Sequence, residues 1–372
     1  MEQAHNRVYD MVVVGAGPAG AVFLRELACT NPALTIALID GQALDSTKPC
    51  GGLLAPDAQK LLARFDLVLP KSILEDPQIF AVETIDVDQN MIRYYQRHYL
   101  NMDRQAFDKW LLSLVPSHVE VYKGRCVRIN EERGYYSVTV WQDGKETHMN
   151  ARAIIGADGG GSIVRRSFFT PMETQYVAIQ QWFENGGQRL PYYSCIFDAK
   201  TSDSCSWTIH KGKYVVFGGA FEKNGCRLAF ERQKTRLEHF LGYSFGTAVK
   251  TEACLVSSPR KMKDFCIGQG RVFLLGEAAG FISASSFEGL SYAMHSGKIL
   301  ADAFVAGKSY EDVQTLYRKN TRSLRFKLRI KSVKRALLFH PFVRNIIMRS
   351  GIQSISPYKK REKQDKPEAG GS

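Results

Sequence analysis

Residues 48–57 read KPCGGLLAPD, which sets one thiol, Cys50, between a proline and two glycines. A thiol on a glycine-hinged loop can reach into a cavity and give up a proton as a weak acid. Gly51 and Gly52 would let the backbone lie close to a flat ligand, because neither carries a Cβ. The same cysteine also fits a small, inert, buried residue. A second proton-exchanging group, His210, stands in CSWTIHKGKYVVFGGAF (205–221), and an imidazole titrates near neutral pH. It too has a plain reading, as a satisfied strand histidine. Trp207 in the same stretch suits the wall of a flat or apolar ligand site. These residues imply proton delivery inside an apolar pocket, and the remaining chain must hold that pocket in place.

The positioning elements begin at once. YDMVVVGAGPAGAVFLRELA reads as a buried strand, a tight glycine turn and a helix. Gly15, Gly17 and Gly20 form GxGxxG, with Pro18 and Ala19 inside the turn. The first glycine permits the turn, the second lets backbone approach a pyrophosphate, and the third lets the helix close on the strand. The helix N-terminus then offers free N–H groups to phosphate. A second strand, LTIALID, ends in Asp40, about 20 residues on, where an acid accepts hydrogen bonds from a ribose. This much specifies an adenine dinucleotide without separating FAD from NAD.

Two later stretches narrow the choice. ARAIIGADGGGSIVRR (151–166) ends an apolar strand in Gly156-Ala-Asp158-Gly159. GRVFLLGEAAGFISASSFEGLSYAMHSG (270–297) ends another in Gly276-Glu277-Ala-Ala-Gly280, followed by Phe281 and a helix. In this order and spacing, over about residues 8–310, the three signals resemble the FAD-binding domain shared by aromatic hydroxylases and geranylgeranyl reductases. The resemblance implies FAD held by the glycine turns, Asp158, Gly159, Gly276, Gly280 and Phe281. Glu277 stands where that family usually carries Asp, so its detailed role is open. NMDRQAFDKWL (101–111) is similar to the family's Arg-x-x-Phe-Asp helix, which implies Arg104 near the flavin nucleotide. PCGG resembles the reductase loop whose cysteine lies by the flavin ring and substrate, so Cys50, Gly51 and Gly52 also join the cofactor set. Trp207 and Lys211 match the family's substrate stretch, with Phe217 on the next strand. Cys205, Ile209 and His210 depart from it, which leaves the substrate itself unspecified.

The implied chemistry is reduction of a C=C bond, with hydride from reduced flavin at one carbon and a proton, from Cys50, at the other. A monooxygenase on the same scaffold is the alternative, and a non-catalytic flavin- and lipid-binding protein is a third. No second GxGxxG marks a separate nicotinamide domain, so NAD(P)H or a reduced protein would supply electrons.

The expected fold class is α/β. A discontinuous Rossmann-like FAD domain (1–78, 100–168, 265–310) carries an inserted antiparallel β-rich substrate domain (79–99, 169–264), then a basic helical segment (311–356) and a disordered tail (357–372). The antiparallel strands are expected around turns at Gly134 and Asp143-Gly144. The chain has 372 residues and a net charge of +13, with basic residues dense from Arg318 to Lys363 against one acid, Glu362. Phe326, Ile330, Val333 and Leu337 fall on one helical face there. Such a helix suits an anionic membrane surface or a place on the FAD domain with its charges solvated. No nucleic-acid module is recognisable. Eight scattered cysteines without metal-ligand spacing, no spanning apolar run and no secretory leader lead to a cytoplasmic expectation, with a peripheral place on the inner face of the membrane. An apolar or isoprenoid small molecule is the expected partner, and no metal is expected.

Overall fold

The computed structural model describes residues 7–41, 48–186 and 193–357. Val8–Val14 (β1) is rich in valine and buried from Met11 to Val14, and it runs through the glycine turn into Pro18–Thr30 (α1). Then follow Ile36–Asp40 (β2), Leu53–Leu54 (β3), Pro56–Arg64 (α2), Ile79–Asp86 (β4), Met91–Asn101 (β5) and Arg104–Ser113 (α3). Glu120–Lys123 (β6) precedes Arg125–Glu131 (β7), Tyr136–Gln142 (β8), Lys145–Gly156 (β9) and Ile163–Phe168 (α4). The next strands are Gln175–Glu184 (β10), Tyr193–Phe197 (β11), Ser206–Lys211 (β12) and Tyr214–Glu222 (β13). Cys226–Leu241 (α5) leads to Ala248–Ser257 (β14), Gly268–Gln269 (β15) and Val272–Leu274 (β16). Leu290–Ala306 (α6), Tyr310–Asn320 (α7), Arg322–Phe339 (α8), Pro341–Ser350 (α9) and Ser354–Ile355 (β17) complete the order.

Two sheets divide the work. The first runs β15-β16-β9-β1-β2-β6, with β16, β9, β1, β2 and β6 parallel, and the hairpin of β7 and β8 joins through β9. Asp143 and Gly144 both take positive φ, as a tight hairpin turn between β8 and β9 requires. The second runs β14-β10-β13-β12-β11-β4-β5-β17 and is mostly antiparallel, with β11 parallel to β4. The helix α1 lies against α6 in the first core, where Phe23, Leu24, Leu27 and Leu300 are fully buried. The helix α5 covers one face of the second sheet through Phe230 and Leu237.

The segment from 311 is more divided than a single basic helical stretch. Val313 and Tyr317 of α7 enter the first core, and the Tyr317 hydroxyl donates to the Leu274 carbonyl at 2.9 Å. The helices α8 and α9 cross onto the second sheet, and β17 pairs with β5. Residues 358–372, most of the expected disordered tail, lie outside the described residues.

Candidate functional site

Val14 pairs with Gly156, and Gly156 with Leu274. The three strands β1, β9 and β16 therefore end level, and their three glycine turns open at one rim. The carboxyl ends of parallel strands are the usual ligand crevice of such sheets. A Cβ at Gly20 would lie 2.1 Å from the Gly15 carbonyl oxygen, so glycine alone lets α1 begin this close to β1. Gly17 caps α1 with no side-chain bond and no acid in the first turn, and space is open beyond its Cα. That arrangement leaves helix N–H groups free to meet an anion.

A cavity of about 790 Å³ starts at this rim and extends to the second sheet. Gly15, Gly17, Pro18, Ala19, Cys50, Gly51, Arg104, Asp158, Gly159, Gly276, Glu277 and Trp207 all line it. Asp40 ends β2 between two lining residues, Ile39 and Gly41. The opposite wall is apolar, built by Trp207, Ile209, Ala178, Val256 and Tyr193, and Tyr193 stands edge-on to Tyr99 at 5.5 Å. Gly218 makes room for the indole, since a Cβ there would lie 2.6 Å from Trp207 Nε1.

The Cys50 loop is tied down from three sides. Lys48 forms an ion pair with Glu277, whose Oε1 also accepts from Ser257 N at 2.8 Å. Burial pulls the Lys48 ammonium down, but the Glu277 carboxylate outweighs it and the net direction is up. Cys50 Sγ accepts from Gly52 N at 3.4 Å and neighbours the Arg104 guanidinium. Arg104 Nε donates to Asp108 Oδ1 at 2.8 Å, and although burial lowers Arg104, Asp108 and Cys50 raise it further. Lys211 Nζ donates to Gly52 O at 3.1 Å and Met102 O at 2.6 Å. Burial brings its ammonium down to about 8, partly opposed by Cys50, Glu75 and Asp103. Asp158 accepts from Ser162 Oγ at 2.5 Å and Ile163 N at 2.6 Å, fixing the start of α4, and burial raises its carboxyl.

Several expected site residues sit elsewhere. Lys211 is behind the Cys50 loop rather than on the cavity wall, and its cation is spent on two backbone carbonyls. On β12, side chains alternate between faces. Trp207 and Ile209 take the cavity face, so His210 takes the other, where burial lowers its imidazole. Phe217 likewise points away, stacking with Phe230 at 5.1 Å and Phe245 at 5.4 Å under α5. Phe281 is fully buried against Phe265, and Gly280 turns tightly over Asp264 O; neither lines the cavity. Gly20 and Gly52 support the lining from one residue away. Gly51 and Gly52 do make a close approach, but to Ile209 and to Met102 and Lys211 of the neighbouring elements.

Sequence reasoning missed Lys48, Tyr99, Tyr193, Cys254 and Glu288, all of which line the cavity. Lys48 adjoins PCGG and could have been paired with the unusual Glu277. Burial pushes the Cys254 thiol up to about 11. Glu288 accepts from Ser291 N at 3.0 Å and Ser291 Oγ at 2.7 Å, with burial raising its carboxyl. The tyrosines carry no motif.

Level glycine turns, a dinucleotide-type rim and a facing β-sheet define the fold of flavin-dependent hydroxylases and reductases. A geranylgeranyl bacteriochlorophyll reductase-like protein from Thermoplasma acidophilum superposes with a TM-score of 0.75 at 18% identity, covering 91% of this chain and 90% of that one. The p-nitrophenol 4-monooxygenase PnpA of Pseudomonas putida gives 0.70 at 13% identity, covering 92% and 93%. The lycopene cyclase protein family matches residues 10–183. At the level of sequence, Protein CbrA of Escherichia coli O6:H1 is 44% identical over 94% of this chain and 96% of its own length. Protein CbrA of Shigella sonnei is 43% identical over 94% and 99%. The chain belongs to the CbrA family.

Proposed function

We propose that this chain binds FAD at the glycine rim and reduces C=C bonds of an isoprenoid or other apolar lipid-like substrate at a membrane surface on the cytoplasmic side. The observation that carries the reading is the shared cavity: three glycine turns, the Cys50 loop and an apolar wall meet in one space. The residues suit the cofactor, since the open α1 terminus would take a pyrophosphate and Asp40, at the end of β2 beside the rim, would accept from a ribose. FAD supplies the redox equivalents when bound, drawn from NAD(P)H or a reduced protein. The chain's own residues do the rest. Gly15–Gly20 and Gly276–Glu277 hold the dinucleotide, Trp207, Ile209 and Tyr193 exclude water and align an apolar chain, and Cys50 Sγ holds the proton for the second carbon. The likeness to a geranylgeranyl bacteriochlorophyll reductase-like protein supports this choice.

The test is anaerobic. Dithionite-reduced protein is mixed with a polyprenyl substrate, and products are read by mass spectrometry. Saturation of double bonds is expected, falling at least about a hundredfold in Cys50→Ala at equal flavin content, the lower end of what a positioned acid contributes. A Cys50→Ala protein that turns over at the native rate removes the acid role. The fold likeness to a p-nitrophenol 4-monooxygenase supports a second reading, flavin-dependent hydroxylation. Oxygen uptake with a hydroxylated product, and no anaerobic turnover, would establish it instead.

A further inference from the structure

The inward face of α8 is fully engaged. Leu324 and Leu328 enter the first core, Ser332 Oγ donates to Pro259 O at 2.9 Å, and Arg335 binds Asp203 at 2.8 Å. In α9, Arg344 pairs with Asp86 at 2.6 Å and both are buried. The apolar face is the other one. Phe326, Ile330, Val333 and Leu337 succeed one another at one-turn spacing along about 16 Å of α8, and Phe342 and Ile346 continue on α9. All six are between 51% and 68% exposed.

Charge identifies what this face meets. From Val313 to Pro357 the chain has eleven Lys or Arg and no Asp or Glu. Arg322, Lys327, Lys334 and Arg349 are exposed around the apolar stripe. Where α7 meets α8, Lys319, Arg322 and Arg325 line a depression with Met262 and Phe326. Arg325 Nε is buried there without a partner, and no acid shares the depression. Exposed apolar side chains rimmed by unopposed cations fit an anionic bilayer interface, with acyl chains under the stripe and a phosphate headgroup at the arginines. A second copy of the same face would bring cations against cations. The α8 helix also adjoins the cavity wall: Lys331 stacks on Tyr292 at 5.0 Å, and Arg335 bonds Tyr176, whose ring meets Phe287 of the lining at 5.9 Å.

We infer that the outward face of α8 and α9 is a docking surface for an anionic phospholipid bilayer, seating a headgroup at Lys319, Arg322 and Arg325. It deepens the lipid-substrate reading by naming the surface from which such a substrate would come, and rests on that reading only for its purpose.

The full-length protein is sedimented with phosphatidylglycerol-containing vesicles and with pure phosphatidylcholine vesicles, without any substrate. Binding to the anionic vesicles, weakened by salt, is expected, with little on phosphatidylcholine. Ile330→Glu with Leu337→Glu should reduce it roughly a hundredfold, and Lys319→Gln or Arg322→Gln about fivefold each. Both positions of the Glu pair face solvent, so flavin content and the urea midpoint should stay native; the Gln variants provide an independent reading if they do not. Native protein that stays in the supernatant with anionic vesicles overturns the inference. So does a concentration-dependent dimer that Ile330→Glu dissolves while vesicle binding is absent. A protein that docks but reduces no polyprenyl substrate keeps the docking surface and loses the reductase reading; one that reduces substrate in detergent but ignores vesicles does the reverse.

Discussion

Lys211 offers a measurement that separates a structural tie from a substrate contact. Its ammonium is buried and titrates at about 8, against 10.5 for a free lysine, because burial disfavours the charge. Between those pH values the unfolded chain keeps a proton that the folded chain has released. Stability from this group therefore rises with pH across that window, and is at its lowest below pH 8. At 1.36 kcal/mol per pH unit, the interval from about 8 to 10.5 is worth about 3 kcal/mol. Lys211→Met removes the titration and leaves the Met102 carbonyl without its donor, a loss of about 1–3 kcal/mol, while the Gly52 carbonyl keeps the Met102 backbone N–H at 2.8 Å. At high pH the variant should thus be less stable by about 1–3 kcal/mol. Near pH 7 the relieved burial of charge, about 3 kcal/mol, matches or exceeds that loss, and the variant should unfold at a similar or higher urea concentration. Urea titrations at several pH values, with the difference between native and Lys211→Met plotted against pH, test this directly, because titrating groups that do not interact with Lys211 cancel. A second readout is alkylation of Cys50, which should quicken at pH 7 once Gly52 loses one of its two donors. A stability difference that is constant with pH, and a Cys50 as slow to alkylate as in the native chain, would refute the reasoning.

Gly218→Ala should force the Trp207 indole off the wall and destabilise by about 1–3 kcal/mol, read by urea midpoint. Adding Trp207→Ala should abolish that increment, so a double variant with additive losses would contradict the proposed clash. Arg344→Met strands the buried Asp86 carboxylate and should cost about 3–5 kcal/mol. Replacing both, with Asp86→Leu, should recover most of it, and calorimetric unfolding of the three proteins completes the cycle.

What was legible in the sequence had a backbone cause. GxGxxG could be read because only glycine allows the close passage at Gly15 and Gly20. The hairpin at Asp143-Gly144 could be read because that dipeptide tolerates positive φ at both positions. The strand ends at Gly156 and Leu274 followed from apolar runs that stop at turns. Side-chain destinations were less legible. A period of two puts His210 opposite Trp207, but it does not say which face meets the cavity, and Phe217 is as apolar in a core as in a substrate wall. Lys211 looks like a ligand-binding cation until the carbonyls of Gly52 and Met102, far away in sequence, are brought beside it.

The C-terminal helices show the same limit in its sharpest form. An apolar stripe at helical spacing is ordinarily the buried face, and Phe326, Ile330, Val333 and Leu337 form such a stripe. The structure buries a mixed face instead, with Leu324 and Leu328 in the first core and Ser332, Arg335 and Arg344 each finding an oxygen partner across the interface. A buried guanidinium is tolerated only when its charge is met, and Asp203 and Asp86 meet it from strands and loops well over a hundred residues upstream. Those two acids, together with the core places taken by Leu324 and Leu328, set the rotation of α8 and α9 that turns the apolar stripe outward. Pattern alone contains the stripe and the cations; the tertiary positions of Asp86, Asp203 and the core that receives Leu324 and Leu328 say which of them is left for a partner.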